Sequence, residues 1–415
     1  MSAPSKSESS PTLDSWLLFA TRTIRMFAYG ALSVVLVFYL VGLGLSDAQV
    51  GLLLTLALIG DTLISLFLTT RADRIGRRRT LVAGAALMAA AGVAFALTRN
   101  WWLLLIAGTL GVISPSGNEV GPFLSIEQAA LSQVVPAPNR TRVFAWYTLS
   151  GSLATALGAL VGGASTHLLQ RTLAPMASYR AIVIGYGALG IVLAALFARL
   201  PRTVEAPAAE QRKRPKGIFA ALSGLDQSHD VVLKLSALFS LDAFAGGFVV
   251  QSLAAYWFHL RYGVEPATLG AVFFWANIFA GLSALVASRL AARFGLINTM
   301  VATHLPSNIL LILVPLMPNL PLAIAVLLAR FSISQMDVPA RQSYVMAMVP
   351  HDERSAAGGV TGVARTLGAA IAPLFVGFMF ARPNLINVPF ILGGTLKIVY
   401  DLLLYRAFIE VRPPE

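Results

Sequence analysis

Cysteine is absent from this 415-residue chain. Its absence excludes disulfides, thiol catalysis and cysteine-ligated metal. Charge is scarce as well: Asp, Glu, Lys and Arg make up 12% of the residues, against 57% hydrophobic ones. A soluble domain of this length needs more charged surface, so the composition implies a polytopic membrane protein. The chain also lacks HExxH, Gly-x-Ser-x-Gly, a Walker loop and any paired histidine site. An enzyme, an ATP-driven pump, a cofactor and a metal centre are therefore not expected. Acids are the rarer charge, 19 against 31 basic residues, for a net charge of +12. The bases fall in short loops between apolar runs, so they point to anionic lipid headgroups and away from nucleic acid.

What is present is a succession of apolar runs, each near the roughly 20 residues that cross a bilayer. Twelve spans are expected, at about 16–43, 48–70, 80–98, 101–133, 143–169, 180–200, 232–260, 268–290, 299–317, 320–348, 356–381 and 388–408. Residues 1–14 are polar, and the first run reads as an anchor, not a cleaved signal. Between the sixth and seventh runs lies a polar segment, 201–230, with the basic cluster Arg212-Lys213-Arg214-Pro215-Lys216. The expected organisation is a six-helix bundle over 1–200, a cytoplasmic linker over 201–230 and a second bundle over 231–415. Arg71, Arg74, Arg77–Arg79, Arg140, Arg142, Arg289 and Arg293 all fall on one side of the bilayer in this scheme. By the positive-inside rule that side is cytoplasmic and holds both termini, in a plasma (inner) membrane.

The halves resemble one another. Val135-Pro136 and Arg140 after the fourth span match Val349-Pro350 and Arg354 after the tenth. Extended backwards, that register sets Glu127 against Arg341 and Ser116 against Arg330. Phe27-Ala28-Tyr29-Gly30 matches Phe244-Ala245-Gly246-Gly247, which sets Arg25 against Asp242. Ala291-Ala292-Arg293-Phe294-Gly295 is a faded copy of Ala72-Asp73-Arg74-Ile75-Gly76 without the acid.

The loop Arg71-Ala72-Asp73-Arg74-Ile75-Gly76-Arg77-Arg78-Arg79 resembles the signature between the second and third helices of the major facilitator superfamily, with Thr69 where the pattern has Gly. The resemblance implies an all-α membrane fold of 12 transmembrane helices in two pseudo-symmetric six-helix bundles. It further implies alternating access, with helices one, four, seven and ten facing a central cavity. Asp73, Arg74, Gly76, Arg77 and Arg78 become gating residues. Their partner is the small-residue start of the eleventh span, Ser355 to Gly359, where a helix N-terminus can receive a carboxylate. Gly151 and Gly158 to Gly163 resemble the antiporter motif of drug exporters, with Ala159 in place of its Pro. Glycines there also serve close helix packing. The Arg that many exporters carry in the fourth helix is replaced by Ser116.

Ionisable residues inside the spans are the functional candidates, because each costs at least a few kcal/mol unless partnered or wetted. They are Arg22, Arg25, Asp61, Glu119, Glu127, Asp242, Arg330, Asp337 and Arg341, most of them on spans one, four, seven and ten. Depth counted along ideal helices suggests Asp61 as partner for Arg25 and Glu127 for Arg22. Arg22 could instead snorkel to the headgroups. The Ser114–Pro122 run, with two prolines and two glycines, should loosen the fourth helix. Lys397 and Asp401 are spaced for a local pair, and His304 reads as hydrogen-bonded in place. Trp16, Trp101, Trp102 and Trp257 are expected in interfacial belts. Tyr29, Phe244, Tyr256, Phe273, Phe274 and Trp275 could line a hydrophobic substrate site, although lipid or core contact suits any one of them better.

These readings converge on a monomeric secondary transporter without cofactors, whose partners are a small-molecule substrate, protons as the coupling ion and the lipid bilayer. Proton-coupled export of a hydrophobic or amphipathic molecule leads. Proton-coupled uptake or exchange of a small organic anion is the alternative.

Overall fold

The computed structural model describes residues 13–135, 140–201, 205, 228–350 and 353–411. Among them every regular element is a helix. In chain order these are α1 (Leu13–Gly42), α2 (Asp47–Ile75), α3 (Arg77–Leu97), α4 (Trp101–Leu110), α5 (Phe123–Val134), α6 (Arg140–Leu169) and α7 (Pro175–Ala198). The second half holds α8 (His229–Gly247), α9 (Gln251–Tyr262), α10 (Pro266–Phe294), α11 (Leu296–Leu313), α12 (Leu320–Phe331), α13 (Asp337–Ala347), α14 (Arg354–Phe380) and α15 (Val388–Phe408). Among the described residues ten apolar spans are long enough to cross a membrane. Two further crossings are broken ones, α4–α5 and α12–α13, which completes the expected twelve. The linker, apart from Pro201, Glu205 and Ser228 to Asp230, lies outside the described residues.

Local chemistry sets the helix ends. Ser46 and Gln49 form a reciprocal capping box at the start of α2. Asn100 caps α4, and Asn319 caps α12 in the same way at the matching place of the second half. Gly76 joins α2 to α3 at φ 104°, and Gly295 joins α10 to α11 at φ 84°. A side chain is strained in that region, so the faded second copy of the loop signature kept its glycine while losing its acid.

Three spans are interrupted, the fourth at the run whose prolines and glycines were expected to loosen it. The fourth is non-helical from Gly111 to Pro122, and the tenth breaks over Ser332–Met336. The seventh breaks over Phe248–Val250, just after Gly246 and Gly247. Backbone freed in a membrane needs partners, and the fourth segment finds them around its break. Tyr186 donates to the Val112 carbonyl and Tyr29 to that of Val120. Ser114 donates to Asn118 O at 2.7 Å, Thr155 to Gly117 O at 3.4 Å, and the Ser252 N–H to Pro115 O at 3.1 Å. The last bond comes from the opposite half.

The halves meet at two glycine crossings at the end away from the Arg71–Arg79 loop. A Cβ on Gly51 of α2 would stand 2.4 Å from Pro373 O and 3.0 Å from Gly377 Cα of α14. A Cβ on Gly163 of α6 would stand 2.5 Å from Pro266 O and 2.9 Å from Gly270 Cα of α10. The two crossings are repeat equivalents of each other. Phe38 closes the same end against Tyr256 and His259. Toward the loop end α2 becomes more exposed: it is largely buried up to Thr62, whereas Leu63 and Phe67 are 58% and 53% exposed.

A candidate ion-pair site in each bundle

Arg25 lies about 18 Å along α1, a helix about 45 Å long at 1.5 Å per residue. It is fully buried. Its Nη1 and Nη2 donate to the two carboxylate oxygens of Glu127 at 2.9 and 2.6 Å, and its Nε donates to Glu119 at 2.7 Å. Glu127, from α5, also accepts from Thr21 at 3.0 Å and from the Tyr147 hydroxyl. Arg22 pairs with Glu119 at 2.9 Å and lies over the Tyr147 ring at 4.4 Å. Room for it comes from Gly151 of α6, where a Cβ would stand 2.6 Å from Arg22 Nε.

The second bundle repeats the arrangement with the signs reversed. Asp242 of α8 stands where Arg25 does, and Arg341 of α13 where Glu127 does; the pair is 3.4 Å apart. Asp242 also takes Lys397 at 2.5 Å and Arg365 at 3.0 Å, and Arg341 also takes Asp337 at 2.7 Å. His304 meets Asp401 at 2.7 Å and approaches Asp242 at 3.7 Å, while Asn308 holds the other Asp401 oxygen at 2.9 Å.

Two groups stand apart. Asp61 is buried, has Gly121 of the broken segment as a backbone partner, and keeps one carboxylate oxygen without any partner. Arg330, at the end of α12, makes no ion pair among the described residues, and its Nε is buried without a hydrogen bond.

The match to known proteins follows this geometry. The family model described as "Major Facilitator Superfamily" matches residues 18–373 and 239–415. The chain belongs to that superfamily. It is 30% identical to the uncharacterized membrane protein YJR124C of Saccharomyces cerevisiae, over 95% of this chain and 94% of that one. It is 22% identical to the quinolone resistance protein NorA of Staphylococcus aureus, over 88% and 89% of the two chains. Among solved structures, a nucleoside transporter, NupG, superposes with a TM-score of 0.73 at 14% identity, over 97% of this chain and all of that one. A D-xylose-proton symporter gives 0.73 at 15% identity, over 94% and 97%. Superfamily members of this kind are secondary transporters and not enzymes.

For this superfamily member several expected pairings change. Arg25 pairs with Glu127 and Glu119, not Asp61, and Arg22 is held by Glu119 and does not snorkel. Depth counted at 1.5 Å per residue fails where the fourth span leaves the helix, over Gly111 to Pro122. Lys397 and Asp401 are no local pair: one turns to Asp242 and the other to His304, the hydrogen-bonded histidine. Trp257 is buried and donates to Asn387 at 3.1 Å, whereas Trp16 and Trp102 are exposed as belt residues would be. Tyr29 is buried in the bundle, while Trp275 is about half exposed. The glycine-rich run packs: a Cβ on Gly158 or Gly162 would strike α1 backbone.

At the loop end, the side chains of Asp73, Arg74 and Ser355 lie outside the described residues. Beside Gly358 the space is taken by Met346 of its own bundle, and beside Gly359 it is open. The first turn of α3 is instead capped by Glu205 of the linker, which accepts from the Arg77 N–H at 2.6 Å and the Arg78 N–H at 3.3 Å. Sequence reading missed Glu205, because a single acid in a polar segment carries no spacing to betray its partner.

Proposed function

We propose that this superfamily member is a proton-coupled transporter that exports a small amphipathic molecule by alternating access. The observation carrying the proton half of this reading is Asp61. A buried carboxylate beside a helix break, with an oxygen free of partners and no basic residue on it, is a group that can take and release a proton. The ion pairs supply the conformational half. Buried salt bridges stabilise a fold poorly compared with apolar packing, so a cycle that remakes them accounts better for their presence. In this reading residues 1–200 and 231–415 rock about the glycine crossings, with the 201–230 linker and both termini on the cytoplasmic side of the plasma (inner) membrane. Asp73 then latches onto the Ser355–Gly358 helix start when the loop end closes. Export is supported by the likeness to a resistance protein and by the glycine-rich α6. Uptake or exchange of an organic anion is the second reading, favoured by the unpaired Arg330.

The test is a proteoliposome with a pH-sensitive dye inside, challenged from outside with amphipathic cations, anions and neutral compounds. Antiport draws protons out as substrate enters and makes the lumen alkaline; symport makes it acid. Asp61→Asn should abolish either signal while substrate still binds. An unchanged proton signal in that variant would overturn the assignment.

A further inference from the structure

The charges set deep in the spans do not balance bundle by bundle. In the first, Arg22 and Arg25 face Asp61, Glu119 and Glu127. In the second, Arg330, Arg341, Arg365 and Lys397 face Asp242, Asp337 and Asp401, with His304 between two of those acids. Among these span residues the second bundle thus holds one base more than acids, and the geometry shows which base that is. Lys397 and Arg365 sit on separate oxygens of Asp242, Arg341 sits on Asp337, and Asp401 is held by His304 and Asn308. Arg330 is left over. It is close enough to Asp242 and Asp337 to feel their charge, yet it pairs with neither, and its guanidinium lies 5.1 Å from the centre of the Phe331 ring.

An unpaired guanidinium inside a membrane protein is expensive. Its setting suits a ligand. It ends α12 at the break of the tenth span, where Ser332 is exposed. Arg365, whose side chain is 31% exposed, opens beside the same Asp242. A guanidinium presents a planar fork of donors that matches an oxyanion.

We propose that Arg330, assisted by Arg365, anchors a single negatively charged oxyanion on the transported molecule: a carboxylate, sulfonate or phosphate monoester carried on an apolar body. The proposal rests on the transporter reading in either direction and adds the charge of the cargo.

The test is binding to the full-length protein in phosphatidylcholine nanodiscs, read as a rise in melting temperature. Benzoate, benzenesulfonate and phenyl phosphate are compared with uncharged benzamide. At least one of the anions should stabilise the wild type more than benzamide does. Arg330→Gln should weaken that anion tenfold or more, and Arg330→Lys should retain part of its affinity. Without ligand, Arg330→Gln should melt at the same temperature or higher, because it removes a charge that has no partner. A lower melting temperature would mark a structural role and overturn the proposal. So would anions that bind no better than benzamide. Stabilisation by phosphatidylglycerol nanodiscs alone would assign the site to a lipid headgroup and also overturn it. Proton movement surviving in Arg330→Gln alongside unaltered anion binding would end this proposal and leave the transporter reading standing. Wild-type protein that binds the anions but moves no protons with any compound would do the reverse.

Discussion

Neutralising the Arg25–Glu127 pair one partner at a time, and then both together, tests whether the two act as one unit. Glu127→Gln removes both charged acceptors from Nη1 and Nη2 of a guanidinium with no solvent contact. Breaking a buried pair from one side costs about 3–5 kcal/mol. Glu119 still holds Nε at 2.7 Å, so the lower figure, about 3 kcal/mol, is expected. Arg25→Gln leaves Glu127 with its Thr21 and Tyr147 donors, and hydrogen bonds to a charged group contribute about 1.5–3 kcal/mol each. Its cost should therefore be smaller, about 2 kcal/mol. The double variant strands neither charge and should cost about 3 kcal/mol, leaving a coupling of about 2 kcal/mol between the sites. Reversible unfolding in mixed micelles measures all three. Costs that add within about 0.5 kcal/mol would mean the residues do not act as a pair, and the reasoning would fail.

Other perturbations follow from the same geometry. Gly163→Val puts side-chain atoms into Pro266 O and Gly270, so it should hold the far end apart and cut transport by tenfold or more; wild-type transport would refute the crossing as a working contact. Lys397→Met removes one of the cations on Asp242. It should lower the melting temperature by several degrees, and Asp242→Asn in the same chain should recover part of the loss; no recovery would show that the two are uncoupled. Glu205→Gln weakens a charged cap on α3 by about 1 kcal/mol. The expected result is faster hydrogen exchange at Arg77 and Arg78 with substrate affinity unchanged, and unaltered exchange there would contradict the capping role. Asp73→Asn should slow transport without loss of substrate binding, as measured by turnover against affinity in proteoliposomes.

The fold was legible because hydrophobic runs of membrane length count themselves, and because the short repeats around Val135 and Val349 and around Phe27 and Phe244 both imply a shift of about half the chain. Similar half-chain shifts relate Gly163 to Gly377 and Gly51 to Gly270, but isolated glycines in apolar helices carry no signal until their neighbours are known. For the site, the repeat register already set Arg25 against Asp242 and Glu127 against Arg341. That these positions pair within each bundle was not visible, since it depends on where the non-helical stretch from Gly111 to Pro122 sets Glu119 and Glu127. The loosening at Ser114–Pro122 could be read from its prolines and glycines. The break after Gly247 could not, for that stretch holds no proline and its hydropathy is uninterrupted. Lys397 and Asp401 mislead for a related reason: helical spacing makes a pair possible, but a stronger partner on another helix takes each of them.

Alternating access about the glycine crossings is the central claim, and the absence of cysteine makes it directly measurable. Spin labels at Thr70→Cys and Gly359→Cys report the loop end, and labels at Thr172→Cys and Glu265→Cys report the far end. With a stabilising ligand or a pH change, the account predicts that the loop-end distance shortens as the far-end distance lengthens. Two distances that stay fixed, or that change in the same direction, would contradict it.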